Sequence, residues 1–182
     1  MKSKVILKFI LLIILCGSFS STYAQRHKHQ RAHRHAPNYR YSKLPRWGYT
    51  YNVAPKNATV VVHAGAKYHY HSGIFYKNIG AKYKIIKAPV GIRISTLPKD
   101  KIRIMVKGKK YFYYYGTYYI KDSESNVYIT VAPPIGARID ALPDGYKELQ
   151  KNGDTYYEFE GVLYKEVSLD TDDIWYEVIK VN

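Results

Sequence analysis

Polar and apolar positions alternate along most of this chain with a period of two, the spacing of a strand with one face buried. Ile102-Arg103-Ile104-Met105-Val106 shows the pattern in its simplest form, and after the leader no window carries a convincing helical period. The strands this predicts are short and closely punctuated. Ser72-Gly73, Tyr115-Gly116 and Glu160-Gly161 each stand between two aromatic-rich runs, where glycine supplies the positive φ of a tight hairpin. Pro98-Lys99-Asp100 and Pro143-Asp144-Gly145 are turn sequences. Pro89-Val90-Gly91 and Pro133-Pro134-Ile135-Gly136 interrupt ladder pairing, because proline has no N–H to donate.

These signals recur at a fixed spacing. Gly65 and Gly73, Gly108 and Gly116, and Gly153 and Gly161 are three pairs of glycines, each pair eight residues apart, with starts separated by 108 − 65 = 43 and 153 − 108 = 45 residues. Each opening glycine follows a proline (Pro55, Pro98, Pro143) by ten residues. A shared register of this length marks an internal repeat. Aligned on these glycines, the chain divides into a first β repeat over 47–107, a second over 108–152 and a truncated third over 153–182. The expected fold class is all-β: tandem small antiparallel β-meanders or SH3-like partial-barrel repeats, preceded by a signal peptide and a disordered basic arm.

From Tyr111 to Tyr119 seven of nine positions are aromatic. Strand alternation puts Tyr113 and Tyr115 on one side and Phe112 and Tyr114 on the other. The third copy has Glu158 and Glu160 where the second has Tyr113 and Tyr115, and carboxylates belong in water. The expected exposed aromatic face is therefore Tyr70, Tyr113 and Tyr115, a candidate surface for stacking on sugar rings. Phe112, Tyr114, Tyr157 and Phe159 are expected to point inward, with His69 and His71 as aromatic substitutes in the first copy. The competing reading makes the exposed tyrosines cross-strand pairs that only stabilise their sheet.

Charge adds a direction to the chain. The leader has lysines at 2, 4 and 8, an apolar run over 10–16 and small residues ending at Ala24, which reads as a signal peptide (1–24) cleaved after Ala24. The run is too short to span a bilayer, and no later segment could do so. Cleavage there removes the only cysteine, Cys16; the rival is a lipoprotein signal acylated at that cysteine. Residues 25–99 hold fifteen Lys and Arg and no acid, whereas residues 100–182 hold eleven basic and fourteen acidic residues. A cationic front of this kind attracts polyanions. For an exported protein those are anionic polysaccharides, glycolipids or envelope proteins; nucleic acid is not an expected partner.

Residues 25–46 combine dense positive charge with few aliphatic side chains and read as a disordered His/Arg-rich arm. His27, His29, His33 and His35 have the His-x-His spacing that chelates a soft divalent ion, against which stand the neighbouring arginines and lysines and the absence of carboxylate or thiolate. The acidic loop over 170–173 lacks the glycine and distal glutamate of a calcium loop, and Asn57-Ala58-Thr59 matches a glycosylation sequon. No nucleophile elbow, zinc-protease motif or phosphate-binding glycine loop occurs, so the expectation is a non-enzyme without a cofactor.

The series Gly-x-x-Tyr-(Tyr/Phe), Gly-x-(Tyr/Phe)-Tyr, Pro-Pro-x-Gly and Leu-Pro-x-Gly-Tyr, over roughly residues 47 to 182, resembles a domain-of-unknown-function family of exported Gram-negative bacterial proteins. The first copy departs from it at Lys99-Asp100-Lys101, where the Gly-Tyr of Gly145-Tyr146 is missing, and at His69 and His71. The resemblance implies an envelope location and no catalytic residues. Three functions follow from these observations: an exported envelope protein whose cationic half holds an anionic polymer or partner, a self-assembling matrix component joining basic front to acidic rear, and a periplasmic metal-binding protein using the His arm. Salt, concentration and chelator separate them.

Overall fold

The computed structural model describes residues 36–168 and 173–182; the leader, the four arm histidines and the acidic loop up to Asp172 lie outside the described residues. Among the described residues fifteen strands form three five-stranded antiparallel sheets. Sheet A contains β1 (Thr50–Tyr51), β2 (Thr59–His63), β3 (Ala66–His71), β4 (Ile74–Ile79) and β5 (Lys82–Ile86). Sheet B contains β6 (Arg93–Ile94), β7 (Ile102–Val106), β8 (Lys109–Tyr114), β9 (Thr117–Asp122) and β10 (Val127–Val131). Sheet C contains β11 (Arg138–Ile139), β12 (Lys147–Lys151), β13 (Asp154–Phe159), β14 (Val162–Ser168) and β15 (Ile174–Val181). Each has the same order, β1-β5-β4-β3-β2 in sheet A, so a four-stranded meander gains a short first strand on its last one. The fold class is all-β, built of repeated meanders.

The sheets are phased differently from the frame set by the hairpin glycines. Residues 107 and 108 form the β7–β8 turn and residues 152 and 153 the β12–β13 turn, so those frame boundaries fall inside hairpins. The third sheet is also complete, because it begins at β11 rather than at Gly153. Gly48, Gly91 and Gly136 open the three sheets at positive φ, spaced 91 − 48 = 43 and 136 − 91 = 45 residues apart, the same intervals as the hairpin glycines.

Successive repeats interlock through one recurring contact. Tyr70 donates its hydroxyl to the Thr96 carbonyl at 2.8 Å, and Tyr113 donates to the equivalent Ala141 carbonyl at 3.1 Å. At the hairpin tips a Cβ on Gly73 would lie 2.3 Å from the Tyr114 ring and 2.8 Å from Pro98. The same constellation recurs one repeat later, with a Cβ on Gly116 lying 2.9 Å from Phe159 and 3.3 Å from Pro143. Glycine is needed at both tips for φ and for room.

Residues 37–47 correct the expectation of a disordered arm reaching to residue 46. They form a strap across sheets B and C with a 3₁₀ turn at Tyr39–Tyr41. Tyr41 is buried edge-on against Tyr113, Tyr114 and Tyr115, with ring centroids 6.5, 5.8 and 5.3 Å away. Leu142 N–H donates to the Pro37 carbonyl at 2.6 Å, Tyr115 donates its hydroxyl to the Pro45 carbonyl, and the Trp47 ring lies 5.0 Å from Phe159. Arg40 pairs with Asp140, and Arg46 with Asp144 at 3.0 Å. Local composition forecast disorder because the partners that offset the cost of ordering lie from 70 to 159 − 47 = 112 residues away.

Candidate functional site

Tyr70, Tyr113 and Tyr115 do not form an exposed face: they are 8, 0 and 1 % accessible. Glu158 was a misleading guide because its position is not enclosed as those of Tyr70 and Tyr113 are: its side chain is 34 % accessible. Tyr70 and Tyr113 are each covered by the Leu-Pro turn of the next repeat, and among the described residues no such turn lies over Glu158. Burial holds the hydroxyls of Tyr113, Tyr118 and Tyr119 protonated well above the ordinary value of 10.0, and Tyr76 is pushed up to about 12. The aromatic run is core.

The opposite side of sheet B carries Phe112, 7 % accessible, beside the half-buried Tyr128. The hairpin end of that face is covered by Gly73 and Pro98, through Tyr114. Its lower half is open and forms a groove of about 490 Å³. Strand register builds it. Arg103 of β7 faces Phe112 of β8, Lys121 of β9 faces Tyr128 of β10, and Lys110 stands two residues before Phe112 on the same side. Lys101 and Ser123 complete the rim. Phe112 and Tyr128 form the floor as an edge-to-face pair with centroids 5.3 Å apart and planes at 89°, and the Lys121 ammonium stands 5.8 Å from the Tyr128 ring.

Four cations thus surround a half-apolar floor with no carboxylate in the lining. Among the described residues none of the four forms an ion pair, while the nearby Asp122 is engaged by Arg93 at 2.8 Å. Hydrogen bonds from Ser125 and Arg93 draw the Asp122 carboxyl down to about 2, so it stays charged and occupied. An anion entering the groove would meet donors without an internal competitor. Rings on that anion would find an aromatic floor and aliphatic lysine stems.

The same half-face exists on the other two sheets. In sheet A the aromatic pair is His69 and Tyr83, 4.9 Å apart at 90°, which places His69 as an aromatic substitute, and Val60, Lys67 and Asn78 occupy the positions of Arg103, Lys110 and Lys121. In sheet C the pair is Tyr157 and Tyr176, 5.2 Å apart at 88°, and the flanking positions are Glu148, Thr155 and Glu166. Glu166 accepts the Tyr157 hydroxyl at 2.9 Å, and burial together with that carboxylate raises the Tyr157 pKa far above its ordinary value. At these three positions sheet B carries three cations, sheet A the single Lys67, and sheet C none.

Sequence reasoning passed over Arg103, Lys110, Lys121 and Tyr128. A usable signal was present: in the repeat alignment Arg103 and Lys121 stand opposite Glu148 and Glu166, in phase with the aromatic position 112/157. Among the described residues there is no group of three or more His, Cys, Asp and Glu side chains that could hold a metal. His27, His29, His33 and His35 lie outside the described residues.

Residues 17–182 match the model of a protein family described as a family of unknown function, DUF6515, and the chain belongs to that family. No curated protein and no solved structure matches the chain.

Proposed function

We propose that this member of a family of unknown function is an exported, non-enzymatic envelope protein of a Gram-negative bacterium. It holds an anionic envelope polymer in the groove of sheet B. The observation that carries the reading is the cluster of Lys101, Arg103, Lys110 and Lys121 around Phe112 and Tyr128, free of carboxylates. The basic leader and apolar run support export, and the Gly-x-x-Tyr and Leu-Pro-x-Gly-Tyr series supports the Gram-negative exported group. The chemistry sought is closely spaced carboxylate or phosphate on sugar rings, present in acidic polysaccharides and in glycolipid headgroups.

Titration of the protein with a soluble polyuronate, and separately with vesicles containing a phosphorylated glycolipid, tests this and distinguishes the two sources. Binding should weaken steeply as salt rises and fall at least about tenfold in the Arg103→Gln/Lys121→Gln variant, equivalent to about 1.4 kcal/mol. Undiminished binding by the folded variant to both probes would place the polymer elsewhere.

A further inference from the structure

We infer that a second copy of this chain docks its sheet C half-face into the sheet B groove. Glu148 and Glu166 occupy the positions of Arg103 and Lys121 within the same strand frame, flanking aromatic pairs of nearly identical geometry, 5.2 Å and 88° against 5.3 Å and 89°. The two surfaces are therefore alike in outline and opposite in charge.

The rest of the charge supports this choice of faces. Arg40 with Asp140, Arg46 with Asp144, Arg93 with Asp122 and Arg138 with Glu177 are matched within the chain. Asp122, Asp140, Asp144 and Glu177 of the acidic rear are thereby engaged within the chain. Among the described residues Arg103, Lys110 and Lys121 on one side and Glu148 and Glu166 on the other are left out of any ion pair. At these equivalent positions the unpaired charges of sheets B and C are opposite in sign, so the two faces complement each other between copies.

The contact joins two different patches, so it is heterologous: each copy that offers sheet C still has a vacant sheet B groove, and association continues. Charge complementarity of exposed groups sets register and salt dependence more than affinity, which makes the assembly weak and reversible. The inference does not depend on polymer binding, although a polyanion in the groove would displace the second copy.

Sedimentation velocity of the purified protein tests it. At low salt the apparent mass should at least double as concentration rises, and at high salt it should return to that of a monomer. Arg103→Gln/Lys121→Gln and Glu148→Gln/Glu166→Gln should each be monomeric alone. Mixed in equal amounts they should pair and stop at the dimer, since one supplies an intact sheet C face and the other an intact groove. A wild-type monomer at low salt, self-association by either variant alone, or a mixture that stays monomeric would each overturn the inference.

Discussion

Sheets B and C are built on one plan and finished differently. Both place an aromatic pair on the lower half of one face and a tight glycine hairpin at the top, and both receive the tip of the preceding repeat against Pro98 or Pro143. Sheet B has a repeat on either side and the strap over its hairpin, so even Tyr113 and Tyr115 are buried, and around its open half-face it keeps four cations. Sheet C carries the half-buried Glu158 where sheet B has Tyr113, and Glu148 and Glu166 where sheet B has Arg103 and Lys121. The lesson is a division of labour: the positions that lock repeats together hold the same chemistry at both junctions, while the positions flanking the aromatic pair change sign between sheets B and C.

The largest break in that comparison should come from the strap. Tyr41→Ala removes a buried ring that touches three sheet B tyrosines, and should lower the stability measured by denaturant by about 4 kcal/mol. Next is the contrast between tips. Gly116→Ala combines positive φ with a Cβ 2.9 Å from Phe159 and should cost about 3 kcal/mol. Gly161→Ala meets nothing closer than 3.7 Å and should cost about 1 kcal/mol for its φ alone. Equal losses would mean that the tips act as turns only.

Smaller in free energy, and sharper as a test of the faces, is a transplant. Glu148→Arg with Glu166→Lys should give sheet C a second polyuronate site within about tenfold of the first, raising the stoichiometry seen by calorimetry from one to two. Tyr113→Phe deletes the hydroxyl that satisfies the Ala141 carbonyl and should cost about 1 kcal/mol. Glu158→Gln, on the uncovered equivalent position, should stay within about 0.5 kcal/mol of wild type.

At neutral pH ionisation of the buried tyrosines contributes no difference, but above pH 10 it does. Tyr113, Tyr118 and Tyr119 have folded-state pKa values above the ordinary 10.0. Below pH 10 both folded and unfolded chains hold those protons and the full stability is present. As pH rises further the unfolded chain loses them first, so stability falls toward the folded-state values. Phenolate absorbance should therefore rise for the exposed tyrosines first and complete only in step with alkaline unfolding.

Much of the fold was legible because it rests on local signals. The glycine tips, the Pro-x-Gly interruptions and the period-two alternation dictate short strands and hairpins, and their spacing dictates a repeat. The strap was not legible, since a segment rich in arginine orders only against Tyr115, Asp140 and Leu142, far along the chain. The opening of sheet A was hidden because Trp47, Tyr49 and Thr50 replace Val90, Ile92 and Arg93 around Gly48, leaving only the glycine spacing as a signal. The face assignment of Tyr113 failed for a different reason. Glu158 does not make the contact with a Leu-Pro turn that buries Tyr70 and Tyr113, so it reports on exposure only for itself. The groove needed the pairing of four strands, which brings residues 103, 112, 121 and 128 onto one half-face; composition conveys the charge but not its convergence.

Lysine footprinting with bound polyuronate tests the central claim most directly, because it compares the two sheets in one experiment. The account predicts that Lys101, Lys110 and Lys121 are protected from acetylation at low salt while Lys147 and Lys180 of sheet C react as in the free protein. Protection spread evenly over both sheets, or confined to sheet C, would contradict it.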